Sequence, residues 1–369
     1  VRILVINWRD IKNPEAGGAE VHLHEIFRRI AASGHDVALL AHAFRGVPNE
    51  ETIDGIRVFR RGRRNTFNFT VPFALRGPLD PARFDVVVDD LNKIPFYTPF
   101  YVRRPLLVIL HHFFAESIFH EAPLPIALYV YLNEALVPIV YRGARFVTVS
   151  ESSRQELMRR GIPSDRVSLV MNAVDANVYR PIAPGEKTRD LIVYVGRLKK
   201  YKKIDLLIRA MRRVAEKRPG ARLVIVGEGD RRPALERLAH ELRLNGRIQF
   251  AGFVSAEEKV RLLQHAALSA NPSPKEGWGV TVIEANACGT PVIAANVPGL
   301  RDAVVDRETG RLIPYGSEER LGEEIVHLLE DDAERARLSA GAVEWARRFS
   351  WDASANEMLA ALERVAAER

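Results

Sequence analysis

Two stretches of this 369-residue chain begin in the same way. Arg2 to Asn7 is an apolar, β-branched run, followed by a loop through Gly17 and Gly18 and a helical pattern from Val21 to Ala32. Leu191 to Val195 is a second such run, followed by GRLKKYKK and another helical pattern. An apolar run without polar alternation reads as a parallel strand buried on both faces, and repeated strand–loop–helix units build a sheet covered by helices. Between the two starts lies RPIAPGEKTR, 180–189, with the proline and charge content of a linker. The pattern predicts two Rossmann-like α/β domains, 1–180 and 181–350, facing across a cleft. The length lets each bury its own core.

The composition sets bounds on function. With 47% hydrophobic and 27% charged residues it is that of a soluble globular enzyme. The one cysteine, Cys288, excludes an intramolecular disulfide and fits a reducing cytoplasm; set among Ala287, Gly289 and Thr290 it suits packing better than catalysis. The opening VRILVINW is strand-like, so no secretory signal is expected. A formal net charge of +7 and a pI near 9.6 favour a polyanionic partner. Nucleic acid is set aside, because neither zinc-finger spacing nor an aromatic RNA-binding signature occurs. An anionic membrane surface and a nucleotide sugar stay open.

Arg57, Arg60, Arg61, Arg63, Arg64 and Arg76 are interleaved with Phe59, Phe67, Phe69 and Phe73. Such a mixture suits anionic lipid headgroups, or else a solvated loop over a few buried rings. Ala122 to Tyr141 is apolar, but Asn133, Glu134 and three prolines argue against a membrane span and for a core or interfacial helix. One strand ends at Asp89 and Asp90, and Leu106 to Leu110 ends at His111 and His112. Ligands gather at the carboxyl ends of parallel strands, so this histidine pair is placed for chemistry. Neither it nor His22 with His24 suits a metal, since neighbours on a strand and i,i+2 pairs on a helix point apart.

Asn271 to Gly299 reads NPSPKEGWGVTVIEANACGTPVIAANVPG. A glycine turn feeding a helix leaves unpaired N–H groups near Gly279, Val280 and Thr281, where the helix dipole favours an anion. Glu276 precedes that helix and Glu284 lies about one turn inside it. Two acids would repel a phosphate, so they read as holders of neutral hydroxyls. A sugar and a ribose joined by a diphosphate supply both groups.

The run PSPKEGWGVTVIEANACGTPVIA resembles the Glu-x-seven-Glu signature of the retaining glycosyltransferases of family four (glycosyl transferases group 1). The resemblance implies the GT-B fold, with the helix at 351–369 crossing back to the N-terminal domain. It implies transfer of a sugar from a UDP- or GDP-linked donor to an acceptor hydroxyl, with retention and without a metal or other cofactor. It makes Arg197 and Lys202 the grip on the diphosphate, although Lys203 stands where the family commonly has glycine. Glu276 then holds the sugar, Glu284 the ribose, and His111 or His112 the reacting face. Gly17, Gly18, Asn172, Gly196, Gly227, Phe253, Gly277, Trp278, Gly279, Val280 and Thr281 complete the donor set. Asn172 opens NAVDANVY, similar to the family's Asn-Gly-Val-Asp motif with Ala173 for glycine. Glycolipid, polysaccharide or other glycoconjugate synthesis is the implied setting, with a lipid-linked acceptor and a cytoplasmic, peripheral membrane location. The alternatives are a phosphorylase or sugar-nucleotide epimerase on the same fold, or a non-catalytic nucleotide-sugar binder.

Overall fold

Residues 1–120 and 122–368 are described by the computed structural model, and parallel strand pairing organises both of its sheets. The chain divides into one unit of Val1–Asn172 with Trp351–Arg369, and a second of Ala173–Ser350. The break precedes the proline-rich segment at 180–189. Ala173 is buried, and Tyr179 donates its hydroxyl hydrogen to Glu284, so these residues belong with the second unit.

The first unit's strands are β1 (Arg2–Ile6), β2 (Asp36–His42), β3 (Glu50–Ile53), β4 (Ile56–Arg61), β5 (Val86–Leu91), β6 (Leu106–Leu110), β7 (Arg145–Thr148) and β8 (Val167–Leu169). They lie in the order 3-4-2-1-5-6-7-8. Every pairing is parallel except β3 with β4. That hairpin is absent from the sequence reading, because EETI has no apolar alternation. Its signal was the turn Asp54-Gly55, where both residues have positive φ (46° and 84°), as a two-residue hairpin loop requires. The charged β3 also blunts the sheet edge.

The second unit carries β9 (Thr188–Val195), β10 (Arg222–Val226), β11 (Ile248–Gly252), β12 (Ala266–Asn271), β13 (Val292–Ala295) and β14 (Gly310–Ile313). Their order is 11-10-9-12-13-14, parallel throughout. Ile192, Leu223, Ile225, Leu268 and Ile293 anchor its core, as continuous apolar runs in two-sided strands demand. The closing helix Trp351–Ala367 belongs to the first unit and packs on the helix Gly18–Ala32. Arg29 pairs with Asp352 at 2.7 Å, and the Ser354 hydroxyl donates to the Met171 carbonyl at 2.8 Å. Among the described residues no helix is long and apolar enough to cross a membrane.

One arginine of the arginine-rich stretch is not on the surface. Arg60 is buried and bonds Asp10 at 2.7 Å and Glu51 at 2.6 Å. Arg57, Arg61 and Arg64 pair with Asp36, Glu50 and Glu15. Phe59 and Phe67 are core residues, leaving Phe69 and Phe73 exposed beside the exposed Arg63 and Arg76. The carboxylates that answer these arginines lie far away in sequence or on an edge strand, which local reading does not see. Asp10→Ala strands the buried Arg60 charge with one partner fewer, and the expected loss is about 3–5 kcal/mol. Urea unfolding measures it, and a loss below about 1 kcal/mol would show the pair to be solvated.

Candidate active site

In the second unit the residues singled out from the sequence lie along the carboxyl edge of the sheet. β9 hands over to Gly196 and Arg197, β10 to Gly227, β11 to Phe253, and β12 to the loop from Pro272 to Gly279. Gly227 has φ +127°, and a Cβ there would lie 2.1 Å from the Gly196 carbonyl oxygen. The first two loops of this edge therefore meet backbone to backbone. Gly279, at φ +84°, starts the helix Val280–Ala287, whose first N–H groups lack intrahelical partners. Glycine tolerates that left-handed turn at little cost.

Lys202 and Glu276, each an expected donor contact, touch one another: Nζ and Oε1 are 2.5 Å apart, both mostly shielded from solvent. They join the loop after β9 to the loop after β12. Arg197 is exposed, with its guanidinium 3.2 Å from the Tyr201 hydroxyl. Lys203 takes φ +52°, so the position that glycine holds in the family is a left-handed one here too. Gly277 and Thr281 are half-buried around Glu276 and the helix start.

Glu284 is buried one turn into that helix. Its Oε1 accepts from the Tyr179 hydroxyl at 2.8 Å and from Lys259 Nζ at 2.7 Å, while Oε2 is buried without a hydrogen bond. Burial, then the Glu284 charge, raises the Tyr179 pKa far above the ordinary phenol value. Sequence reading found neither Tyr179 nor Lys259. Tyr179 had a signal, its place at the end of NAVDANVY, whereas Lys259 lies among the charged residues of the surface-type helix Ala256–His265. It also passed over Lys187, whose amine donates to Thr290 Oγ1 at 2.9 Å and to the Gln264 carbonyl at 2.8 Å. Burial brings that amine down to about 8. The Trp278 side chain is 2% exposed, and its ring packs edge-on against Phe349 at 4.8 Å. Phe253 is 89% exposed.

The first unit holds Gly17, Gly18, His111, His112 and Asn172. Gly17 caps the helix Gly18–Ala32, and its N–H donates to the buried Glu20 carboxylate at 2.7 Å. Neighbouring strand residues face opposite ways, and this sorts the aspartates. Asp89 accepts from Thr98 and Tyr141, at 2.5 and 2.8 Å, and burial pushes it up to about 7 against those bonds. Asp90 instead lies 3.2 Å from His111 Nε2. His111 packs edge-on against His22, with ring centroids 5.4 Å apart, whereas His112 packs against Phe114. Burial works to lower the His111 pKa, but the neighbouring Asp90 carboxylate, aided by the Glu20 charge, outweighs it and raises it. Burial and the His111 charge pull His22 down to about 3. Asn172 is buried, with its Oδ1 lacking a hydrogen bond.

Two family profiles match the chain end to end of one another: Glycosyltransferase Family 4 over residues 16–178 and Glycosyl transferases group 1 over 177–345. The chain belongs to the family-four glycosyltransferases. This family-four chain is 32% identical over 240 residues to a D-inositol 3-phosphate glycosyltransferase of Xylanimonas cellulosilytica, a match covering 60% of the chain and 57% of that relative's length. The chain thus spans just over half of that curated relative. Its fold is the GT-B type of sucrose-phosphate synthase from Thermosynechococcus elongatus (TM-score 0.83, 22% identity, 100% of both chains). The Anabaena protein HepE, solved in complex with UDP-glucose, is similar as well (TM-score 0.76, 20% identity, 98% and 99% covered).

Two predictions follow from this geometry. A His111 whose pKa is raised by Asp90 should titrate above about 6.5 by NMR, and Asp90→Asn should bring the midpoint down. The stability that the pair contributes is full below about pH 6.5 and is lost as pH rises through the His111 pKa, so the two proteins should differ least at alkaline pH. An unchanged midpoint would remove Asp90 as the cause. Lys203→Gly should raise stability by about 1 kcal/mol, since it relieves a left-handed non-glycine residue; a fall in Tm would contradict that.

Proposed function

We propose that this chain is a metal-independent, retaining hexosyltransferase that moves a sugar from a UDP- or GDP-linked donor to an acceptor hydroxyl. The observation that carries the reading is the Lys202–Glu276 contact beside the Gly277–Gly279 turn. An incoming diphosphate competes with Glu276 for the Lys202 ammonium. The displaced carboxylate is then free to accept hydrogen bonds from the sugar hydroxyls. Lys202, Arg197 and the N–H groups of the turn stabilise charge growing on the departing diphosphate, work done elsewhere by a divalent cation. Glu284, held by Tyr179 and Lys259, keeps its other oxygen for a ribose hydroxyl.

In the first unit, the backbone at Gly17 and Gly18 serves the diphosphate and His111 the reacting face of the sugar. The Asp90 contact favours His111 over His112 for that role. Retention is the family's stereochemical habit, and the UDP-glucose held by HepE supports a nucleotide-sugar donor. The acceptor reading is a lipid-linked glycoconjugate, at the cytoplasmic face of a membrane. The exposed Phe69, Phe73, Arg63 and Arg76 support contact with an anionic surface.

The test is product analysis with a panel of UDP- and GDP-sugars. Transfer releases nucleoside diphosphate; phosphate-dependent release of sugar phosphate would indicate a phosphorylase, and an isomerised nucleotide sugar an epimerase. Lys202→Ala and Glu276→Ala should each lower kcat/KM by about two to three orders of magnitude. Full activity in both would refute the site. Glu284→Ala should raise the donor KM about tenfold, as loss of a charged hydrogen bond does.

A further inference from the structure

The helix Leu124–Val140 buries one narrow stripe, Ala127, Val130, Glu134 and Val137, spaced by three, four and three residues. A surface helix normally sets polar residues opposite such a stripe. This one sets Leu124, Leu128, Leu132, Leu136 and Ile139 there, with Leu124 70% and Ile139 66% exposed. The helix's one charged side chain, Glu134, lies in the buried stripe and accepts from the backbone N–H groups of Phe114 and Ala115 at 2.7 and 2.8 Å. The outward face therefore carries no charge. At 17 residues the helix is about 26 Å long and does not span a bilayer.

Cations flank it. At its C-terminal end a hollow of about 680 Å³ is lined by Val140 together with Arg103, Arg104 and Arg142. Arg103 and Arg142 are exposed, and Glu368, on the same hollow, is engaged with Arg145. Exposed Tyr129 and Tyr131 lie on the flanks of the apolar stripe, as aromatic side chains do at a membrane–water boundary. A formal charge of +7 repels a second copy of the chain but attracts an anionic bilayer.

We propose that the helix Leu124–Val140 is a membrane-docking element that lies in the interface of an anionic bilayer, its leucine stripe in the acyl boundary and Arg103 and Arg142 on lipid phosphates. This adds the helix Leu124–Val140 to the membrane contact offered by the exposed Phe69, Phe73, Arg63 and Arg76. It rests on the membrane part of the reading above and not on its sugar chemistry.

Sedimentation of the full chain with vesicles of phosphatidylcholine and phosphatidylglycerol at low salt tests it. Wild type should be retained, and Leu128→Glu/Leu132→Glu should weaken retention at least about tenfold, since charges on an interfacial apolar face oppose insertion. Arg103→Glu/Arg142→Glu should lower retention about fivefold or more per arginine, on anionic vesicles only. Nucleoside diphosphate release and Tm, measured without vesicles, should be unchanged in all variants. Wild type left in the supernatant, or leucine variants that bind as it does, would overturn the proposal. So would a wild-type dimer that the leucine variants convert to monomer without any vesicle binding. Vesicle binding without nucleotide release would refute the transferase reading alone, and release without binding would refute this one.

Discussion

Because every ladder of the six-stranded sheet is parallel, its strands all end along one edge, and everything chemical in the second unit collects there. Each strand must leave that edge through a loop into a helix, so loops distant in sequence become neighbours. Gly196 against Gly227 and Lys202 against Glu276 are results of that geometry. The glycine at Gly227 is required by backbone contact, since any side chain would collide with the Gly196 carbonyl. The same rule in the first unit brings Asp90 from β5 and His111 from β6 side by side.

Charge is managed differently in the two units. In the second, acids of one loop or helix are paired with cations of another: Glu276 holds Lys202, and Glu284 holds Lys259. Near-neutral pairing lowers the cost of placing a basic helix start beside other cations before a ligand arrives. In the first, strand alternation separates two adjacent carboxyls into different tasks. Asp89 is drawn into a hydrogen-bonded interior with Tyr141 and Thr98, and Asp90 is left to hold an imidazole.

Surfaces proved harder to read than strands. Arginines mixed with phenylalanines look the same in sequence whether they coat a surface or are paired off, and Arg60 turned out to be core. The helix Leu124–Val140 shows the opposite case. Its composition is that of a buried helix, yet only a stripe of four residues is covered. Inside the signature loop the ring of Trp278 packs against Phe349.

The sequence by itself determined the parallel strands of both sheets, though not the edge hairpin, and the family signature with the loop that carries it. Those follow from local periodicity and from short spacings, such as Glu276 to Glu284, that one loop and one helix convert directly into geometry. Tertiary structure alone decided which side chains meet: Lys202 with Glu276, Tyr179 and Lys259 with Glu284, and His111 with Asp90. Their partners lie 74, 105, 25 and 21 residues apart, and such pairs are set by strand order and register. No local pattern records that order, because crossover connections let sequence neighbours and sheet neighbours differ.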